Sequence, residues 1–201
     1  FLLFTFLFLI GNSCFAQKKK WSVHRYIREA DMEMFNNNFH EALVLYQKAY
    51  EMDSGKANTA FKLGVVMYNI RKYKRQSLSF FEKAKQGGIA EASYYLGNLY
   101  HLNKQYNDAI NSFIDYKKIF TKKKYTDSEV DVLIQKCITA KELVKKPVNV
   151  YIENIGNTIN SEYPDYVPVI SADESTLIFT SRRKGSTGNQ LDTYGDYFED
   201  V

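Results

Sequence analysis

Residues 95–116 read YLGNLYHLNKQYNDAINSFIDY and contain two apolar stripes with a polar break at residues 103–105. Each stripe carries one small residue, Gly97 in the first and Ala109 in the second. A single amphipathic helix needs only an apolar residue at every third or fourth position. Two helices that pack closely also need a small residue where their axes cross and large residues around it. The stretch therefore predicts two short helices in close contact at Gly97.

The same spacing occurs twice upstream, at intervals of 33 or 34 residues. The residues that recur at the glycine position and at the start of the second stripe are Ala30 with Phe39, Gly64 with Tyr73, and Gly97 with Tyr106. In the middle copy, Gln76 stands where the second stripe needs a small residue, and Ser77 follows it. The pattern predicts three helix pairs, with the second helix of the middle pair shifted by one residue. Three unrelated helical hairpins with coincident spacing are the alternative.

A 34-residue period of this kind resembles the tetratricopeptide repeat (TPR). The resemblance implies a mainly α fold, in which a TPR α-solenoid of three helical hairpins plus a capping helix occupies residues 17–146. The repeats fall at about 23–55, 57–88 and 90–122.

The capping helix is predicted at residues 127–146. Thr126 and Glu129 have the spacing of a capping box, and Pro147 ends the helix. A repeat array needs such a helix to cover the apolar face of its last unit. The apolar stripe expected to do so consists of Val130, Leu133, Ile134, Cys137, Ile138, Ala140, Leu143 and Val144.

Residues 1–16 predict a signal peptide. The apolar run FLLFTFLFLI at residues 1–10 is too short for a membrane span, which takes about 20 apolar residues. Cys14 and Ala16 suit the −3 and −1 positions of a cleavage site, which favours cleavage after Ala16. Lipidation of Cys14 is the alternative. After cleavage Cys137 is the one cysteine left, so we expect no intramolecular disulfide and a buried apolar role for Cys137 rather than a nucleophilic one.

After Pro147 the apolar period changes from that of a helix to two residues. In VNVYIEN at residues 148–154, apolar and polar residues alternate, which predicts a strand within a strand-and-linker segment at 147–165. YVPVISADESTLIFTSRR at residues 166–183 has two apolar runs around a polar turn at 172–175. This pattern predicts a β-hairpin.

Residues 166–201 resemble the first blade of a TolB-type, WD-repeat-like β-propeller. The residues that carry the resemblance are Pro168, Ser171, Asp173, Leu177, Phe179 and Ser181. The usual glycine of the turn is missing, and Glu174 and Ser175 stand in its place. A propeller needs about four to eight blades. We therefore expect an incomplete propeller in a chain truncated at both ends. Its tail, residues 148–201, is expected to be dynamic or to lie loosely on the final helix.

The order of these parts resembles a family of Bacteroidetes envelope proteins. In that family an OmpA-like peptidoglycan-binding domain follows the propeller, and some members serve type IX secretion and gliding. The resemblance implies a non-catalytic scaffold in the periplasm, associated with the outer membrane, that binds peptidoglycan only through a C-terminal domain missing here. The N-terminal part of an exported propeller-containing serine peptidase and a TPR-based nutrient-binding lipoprotein are the alternatives.

No catalytic, phosphate-binding or metal-binding motif occurs in the sequence, so we expect no enzymatic activity, cofactor or metal. The net charge is +4, but nucleic acid is not an expected partner for an exported chain. The acidic group Asp192, Asp196, Glu199 and Asp200 lacks the spacing of a calcium loop, so a solvated connector is preferred.

The TPR resemblance implies a groove lined by the first helix of each repeat. The expected partner-binding residues are Phe61, Val65, Tyr68, Asn69, Tyr94, Asn98, His101 and Leu102. Aromatic rings beside amides suit a partner protein's extended peptide or amphipathic helix. The alternative is that Tyr68 and Tyr94 only complete the packing between repeats.

Overall fold

The computed structural model describes residues 21–119 and 123–201, and the predicted signal peptide, with Cys14, lies outside them. Within these residues the helices are α1 (Val23–Phe35), α2 (Phe39–Met52), α3 (Ala57–Asn69), α4 (Leu78–Gln86), α5 (Ala92–Leu102), α6 (Tyr106–Lys117) and α7 (Asp127–Val144). An antiparallel pair of strands, β1 (Asp165–Ile170) and β2 (Leu177–Ser181), follows. The expected mainly α chain with a short β segment is therefore confirmed.

Each helix packs against the next one along the chain. The pairs α1–α2, α3–α4 and α5–α6 pack closely, and α7 lies against α6. Three clusters of buried apolar residues hold these elements together. The described helices therefore form a linear series of three pairs and one further helix.

The helices of the third pair meet at Gly97, as predicted. A Cβ atom on Gly97 would lie 2.5 Å from Cε1 of Phe113, which is too close for any side chain. In the second pair, a Cβ atom on Gly64 would lie 3.1 Å from Cε1 of Phe81. In the first pair the equivalent residue is Ala30, which is fully buried. A small buried residue is thus common to the three pairs, and in the second and third it admits an aromatic ring.

The middle pair contains the predicted shift of one residue. Short 3₁₀ turns at Arg71–Tyr73 and Arg75–Ser77 precede α4. Gln76 is exposed, whereas Ser77 is fully buried and its Oγ donates a hydrogen bond of 2.6 Å to the Lys74 carbonyl. Since a glutamine amide is costly to bury, the tighter turns bring the small Ser77 to the helix contact instead.

Helix α7 begins at the predicted capping box. The Thr126 hydroxyl accepts a hydrogen bond from the Glu129 amide, and the Glu129 carboxylate accepts one of 2.7 Å from the Thr126 amide. These bonds satisfy backbone donors that have no partner within the helix.

The apolar stripe of α7 is only partly covered, which corrects the expected cap. Val130 and Cys137 are buried, but the stripe's later members Ile138, Leu143 and Val144 are exposed, Leu143 to 66%. Helix length explains this difference. The 18 residues of α7 span about 27 Å and the 12 residues of α6 about 18 Å, so the end of α7 extends beyond its partner.

The prediction of a strand at residues 148–154 is wrong. This segment is irregular, and Val148 and Ile152 are 81% and 87% exposed. Alternating apolar residues favour a strand only where a neighbouring strand and a buried face are present. Residues 148–154 have neither in the described structure, since β1 and β2 pair with each other.

The predicted hairpin is confirmed. Its register pairs Asp165 with Ser181 and Ile170 with Leu177, and a bulge interrupts β1 around Pro168. Because proline has no N–H to donate to a ladder, a bulge is an expected place for it.

The turn of the hairpin replaces the expected glycine by a strained residue. Glu174 has a φ of 57°, which is the left-handed conformation that glycine adopts most easily. The Asp173 carboxylate stabilises the turn by accepting hydrogen bonds from the Ser171 and Ser175 hydroxyls. These hydrogen bonds hold the pKa of Asp173 at about 2.

Asp165 organises the base of the hairpin. Its carboxylate accepts hydrogen bonds from the Ser181 hydroxyl (2.6 Å), the Ser161 amide (2.7 Å) and the Arg183 guanidinium (3.0 Å). Burial opposes ionisation of Asp165, but these bonds outweigh it and hold the pKa well below its usual range. The carboxylate therefore joins both strands and the preceding linker.

Acid should loosen the hairpin through Asp165. A carboxyl group whose pKa is lowered by folding contributes stability above its unfolded pKa, about 3.9, and that stability is lost as the pH falls towards the folded pKa. We expect faster hydrogen exchange of the β1 and β2 amides, after correction for intrinsic rates, when the pH is lowered from about 5 to about 3. An Asp165→Asn variant should show a weaker pH dependence, and an unchanged dependence would contradict this role.

The tail contacts α2, so of the two expectations for it, a dynamic tail and a placement on the final helix, the second is wrong. The Thr193 carbonyl accepts a hydrogen bond of 3.1 Å from the His40 amide, and the Tyr194 ring stacks on Phe39 with centroids 4.8 Å apart. In the first turn of α2, where no side chain caps the helix, the His40 amide lacks a partner within the helix. The tail thus supplies a missing acceptor and an aromatic partner.

Replacing Gly195 should detach this tail. Gly195 has a φ of 82°, and a Cβ atom there would lie 2.8 Å from Nδ1 of His40. We expect Gly195→Val to speed exchange of the His40 amide roughly tenfold or more, because backbone strain and the clash both oppose docking. Gly185→Val is the matched control, since Gly185 has a φ of 101° but no neighbour within 4 Å. Equal exchange in the two variants would contradict the docking.

Candidate functional site

The eight predicted groove residues lie on two helices, and all are at least partly exposed. Helix α3 carries Phe61, Val65, Tyr68 and Asn69, and α5 carries Tyr94, Asn98, His101 and Leu102. They do not form one compact site. The structure places the aromatic ones together, places Asn69 beside the tail and places His101 against α7, while Leu102 is exposed at the end of α5.

The first part is an aromatic cluster, which consists of Phe61, Tyr68, Tyr94, Tyr95 and Tyr125. Tyr95 lies at its centre, with ring centroids 5.8 Å from Phe61 and 5.2 Å from Tyr68. The Tyr94 ring stacks on Tyr125 at 3.8 Å. These rings pack between the helix pairs, which agrees with the alternative that Tyr68 and Tyr94 complete the packing between repeats. The side chains of Tyr68 and Tyr94 nevertheless stay partly exposed.

Sequence reasoning missed Tyr125, although a local signal was present. Tyr125 directly precedes the N-cap residue Thr126, and Val130 is the fourth residue of the helix. An apolar pair at these two positions is the hydrophobic staple, which fixes the direction of the chain entering a helix. Both residues belong to the same apolar cluster. The staple therefore presents the Tyr125 ring to Tyr94.

The aromatic cluster offers neutral hydroxyl groups beside cations. Burial, and next the neighbouring Tyr125, raise the pKa values of Tyr68 and Tyr94, so their hydroxyls remain protonated donors at neutral pH. The Lys74 ammonium lies 4.6 Å from the centroid of the Tyr68 ring, and that of Lys124 lies 5.3 Å from Tyr125. Such cation–π contacts hold the ammonium groups close to the tyrosine rings.

The two predicted amides each donate one hydrogen bond within their own helix. Asn69 Nδ2 donates a hydrogen bond of 2.8 Å to the Val65 carbonyl, and Asn98 Nδ2 donates one of 2.9 Å to the Tyr94 carbonyl. One of the two N–H groups of each amide is thus used within its own helix, and the amide oxygen can accept a further hydrogen bond.

The second part of the site is the α5–α7 groove, a depression of about 500 Å³ between the two helices. It is lined by His101, Val132, Gln135, Lys136, Thr139, Ala140 and Leu143. Most of its exposed lining is apolar, because the end of α7 extends past α6 and leaves Leu143 uncovered. Leu102 at the end of α5 is also exposed. The α7 residues of this groove were not predicted.

His101 and Cys137 form a structural contact at the base of the groove. Nδ1 of His101 lies 3.2 Å from Sγ of Cys137, which is buried. Burial raises the pKa of the Cys137 thiol, so the group stays protonated and is a poor nucleophile. The contact fixes α7 against α5.

The acidic residues near the end of the chain stabilise a loop. The Asp192 carboxylate pairs with Arg182 and accepts hydrogen bonds from the Tyr194 amide (2.8 Å) and the Asp196 amide (3.1 Å). In residues 21–119 and 123–201, no group of His, Cys, Asp or Glu side chains is arranged to hold a metal ion.

Two wider observations accompany this geometry. Among the described helices, none combines the length and apolar character required to cross a bilayer. No model of a known protein family matches the chain, and no curated protein matches it.

Proposed function

We propose that this chain is a non-catalytic scaffold that binds a partner protein across the aromatic cluster and the α5–α7 groove. One observation carries the proposal: two side-chain contacts join α5 to α7 and to the residue before its N-cap, and apolar side chains of α7 next to His101 remain uncovered. Tyr94 contacts Tyr125 near the start of both helices, and His101 contacts Cys137 further along. Val132 and Leu143 are exposed and line the groove with His101, and Leu102, the next residue of α5, is also exposed.

The chemistry of the surface suits a peptide or an amphipathic helix of the partner. The groove of about 500 Å³ is large enough for several apolar side chains. The amide oxygen of Asn98 can accept a hydrogen bond from an extended backbone, and the tyrosine hydroxyls can donate them. Helix-in-groove and extended-peptide recognition both combine apolar contacts with such polar groups.

The finer identity belongs to the same proposal. The three helix pairs are TPR repeats, which is supported by the 33–34-residue spacing and by the ring-on-glycine contacts at Gly64 and Gly97. The hairpin is a propeller blade, which is supported by the isolated antiparallel bridge between Ser181 at the end of β2 and Asp200. The protein acts in the periplasm near the outer membrane, as the apolar residues 1–16 suggest, and peptidoglycan is reached only through a further domain.

Site-specific photocrosslinking in the source cells tests this function. A crosslinking amino acid replaces Leu102 or Val132, and Ile114 on α6 is the matched control because it is 42% exposed, against 41% for Leu102. We expect the same partner protein to be captured from Leu102 and Val132 and not from Ile114. Equal capture from all three positions, or none from the groove, would contradict the proposal.

A further inference from the structure

A second cavity lies where the tail, which includes the hairpin, meets the helices, away from the α5–α7 groove. Its volume is about 340 Å³. The helical side contributes Asn69 and Arg71, and the other side includes Tyr166, Arg182, Tyr194 and Asp196. Cavities between structural units are common ligand sites, and this volume is at the lower end of their usual range, about 300–1,000 Å³.

The wall formed by the tail is held in place before any ligand binds. Nε of Arg182 donates a hydrogen bond of 2.7 Å to the Tyr197 carbonyl, and its Nη2 pairs with Asp192. The Tyr194 ring is fixed by its stack on Phe39. A preorganised wall lowers the entropic cost of binding.

One cation and one anion in the cavity lack a close partner. The Arg71 side chain is exposed and has no ion pair or hydrogen bond within the described part of the chain. The Asp196 carboxylate has only a long contact of 3.8 Å with Nη1 of Arg182. The cavity thus offers a guanidinium and a carboxylate on its two sides, with tyrosine rings nearby.

We propose that this cavity binds a free α-amino acid. The ligand carboxylate pairs with Arg71, whose planar fork matches a carboxylate with two parallel hydrogen bonds. The ligand ammonium pairs with Asp196, and an apolar side chain lies against Tyr194.

The ligand site depends on tail docking. Arg71 belongs to the helical side and Asp196 to the tail, so the distance between the two charges is set by the contact of Thr193 and Tyr194 with α2. A bound ligand joins the two sides and should itself slow exchange of the His40 amide. This site is separate from the proposed partner surface and stands or fails independently of it.

Titrations followed by NMR on the whole chain test the proposed ligand class. L-leucine is the probe, leucinamide lacks the carboxylate, and N-acetyl-leucine lacks the ammonium. We expect saturable shifts of the Arg71 Nε–H and the Asp196 and Tyr194 amides with leucine, at a Kd on the order of 1 mM. Both analogues should bind at least about tenfold more weakly, since each loses one charged hydrogen-bonding group. Absence of saturable shifts with leucine, or equal binding of leucinamide, would overturn the proposal.

Variants separate the site from general charge effects. Arg71→Gln should weaken leucine binding about tenfold or more, whereas Lys72→Gln, which removes the same charge from the same turn, should not. Gly195→Val should also abolish binding by separating the walls, and Gly185→Val should retain it. Binding unchanged by Arg71→Gln, or retained when Gly195→Val has released the His40 amide, would overturn the assignment.

Discussion

Replacement of Phe81 by alanine should lower the free energy of unfolding by about 3–5 kcal/mol. Phe81 is fully buried, and its ring stacks on Tyr95 with centroids 4.5 Å apart and planes only 4° from parallel. Phe61 meets the same ring edge-on at 5.9 Å, and Gly64 lies beneath it. Because rigid rings and helix backbone surround the site, the cavity left by truncation collapses poorly.

Urea denaturation followed by far-ultraviolet circular dichroism measures this effect. Phe35→Ala is the control, because it deletes the same ring at a position that is 88% exposed. The control should change the free energy of unfolding by no more than about 0.5 kcal/mol. Similar losses in both variants would mean that Phe81 does not join the second and third helix pairs.

Gly97→Leu should destabilise the protein by about 3 kcal/mol, at the upper end of the range for overpacked cores. The Cβ atom alone would come within 2.5 Å of the Phe113 ring, so the two helices of the third pair must move apart. In an isolated helix the opposite sign is expected, because leucine is a better helix former than glycine by up to about 1 kcal/mol. The direction of the change in urea midpoint therefore distinguishes close packing from local propensity.

Two further variants sharpen the Gly97 test. Gly55→Ala adds a methyl group where no atom lies within 4 Å, so it should be neutral or slightly stabilising. Phe113→Leu in a Gly97→Ala background removes the ring that the new methyl group meets. The double variant should therefore lose less free energy of unfolding than the sum of the losses in the two single variants. Additive losses would mean that the destabilisation does not come from the contact between these two residues.

The helix pairs could be predicted from the sequence because their packing depends on local spacing. Gly97, Ala109 and Phe113 follow each other at intervals that put them on facing sides of two short helices. The shift in the middle pair was also visible, since Gln76 cannot fill a buried position that Ser77 fills. The hairpin could be predicted for the same reason, as its turn and both strands are contiguous.

Features that depend on distant parts of the chain were not predicted. The alternation at residues 148–154 is typical of a strand, but no neighbouring strand is present in the described structure. The exposed end of α7 follows from the unequal lengths of α6 and α7. Tail docking and the cavity at Arg71 join residues more than 90 positions apart, and no sequence pattern specifies which pairs meet.

The candidate site was predicted in its α5 half and missed in its α7 half. Register alone places His101 and Leu102 near the end of α5. Val132 and Leu143, which line the groove together with His101, lie on a helix that was expected only to cover the last repeat. The surface could therefore be recognised only when the relative position of the two helices was known.

Hydrogen exchange on the whole chain, with and without the partner captured from Leu102, tests the proposed binding surface most directly. The exposed last turns of α7 should open most readily in the free protein, because they have few buried contacts. Binding should slow exchange in α7 (Asp127–Val144) and at the end of α5 (Ala92–Leu102), with no change in α6 (Tyr106–Lys117). Protection confined to α6 or to the β-hairpin would contradict partner binding at the α5–α7 groove.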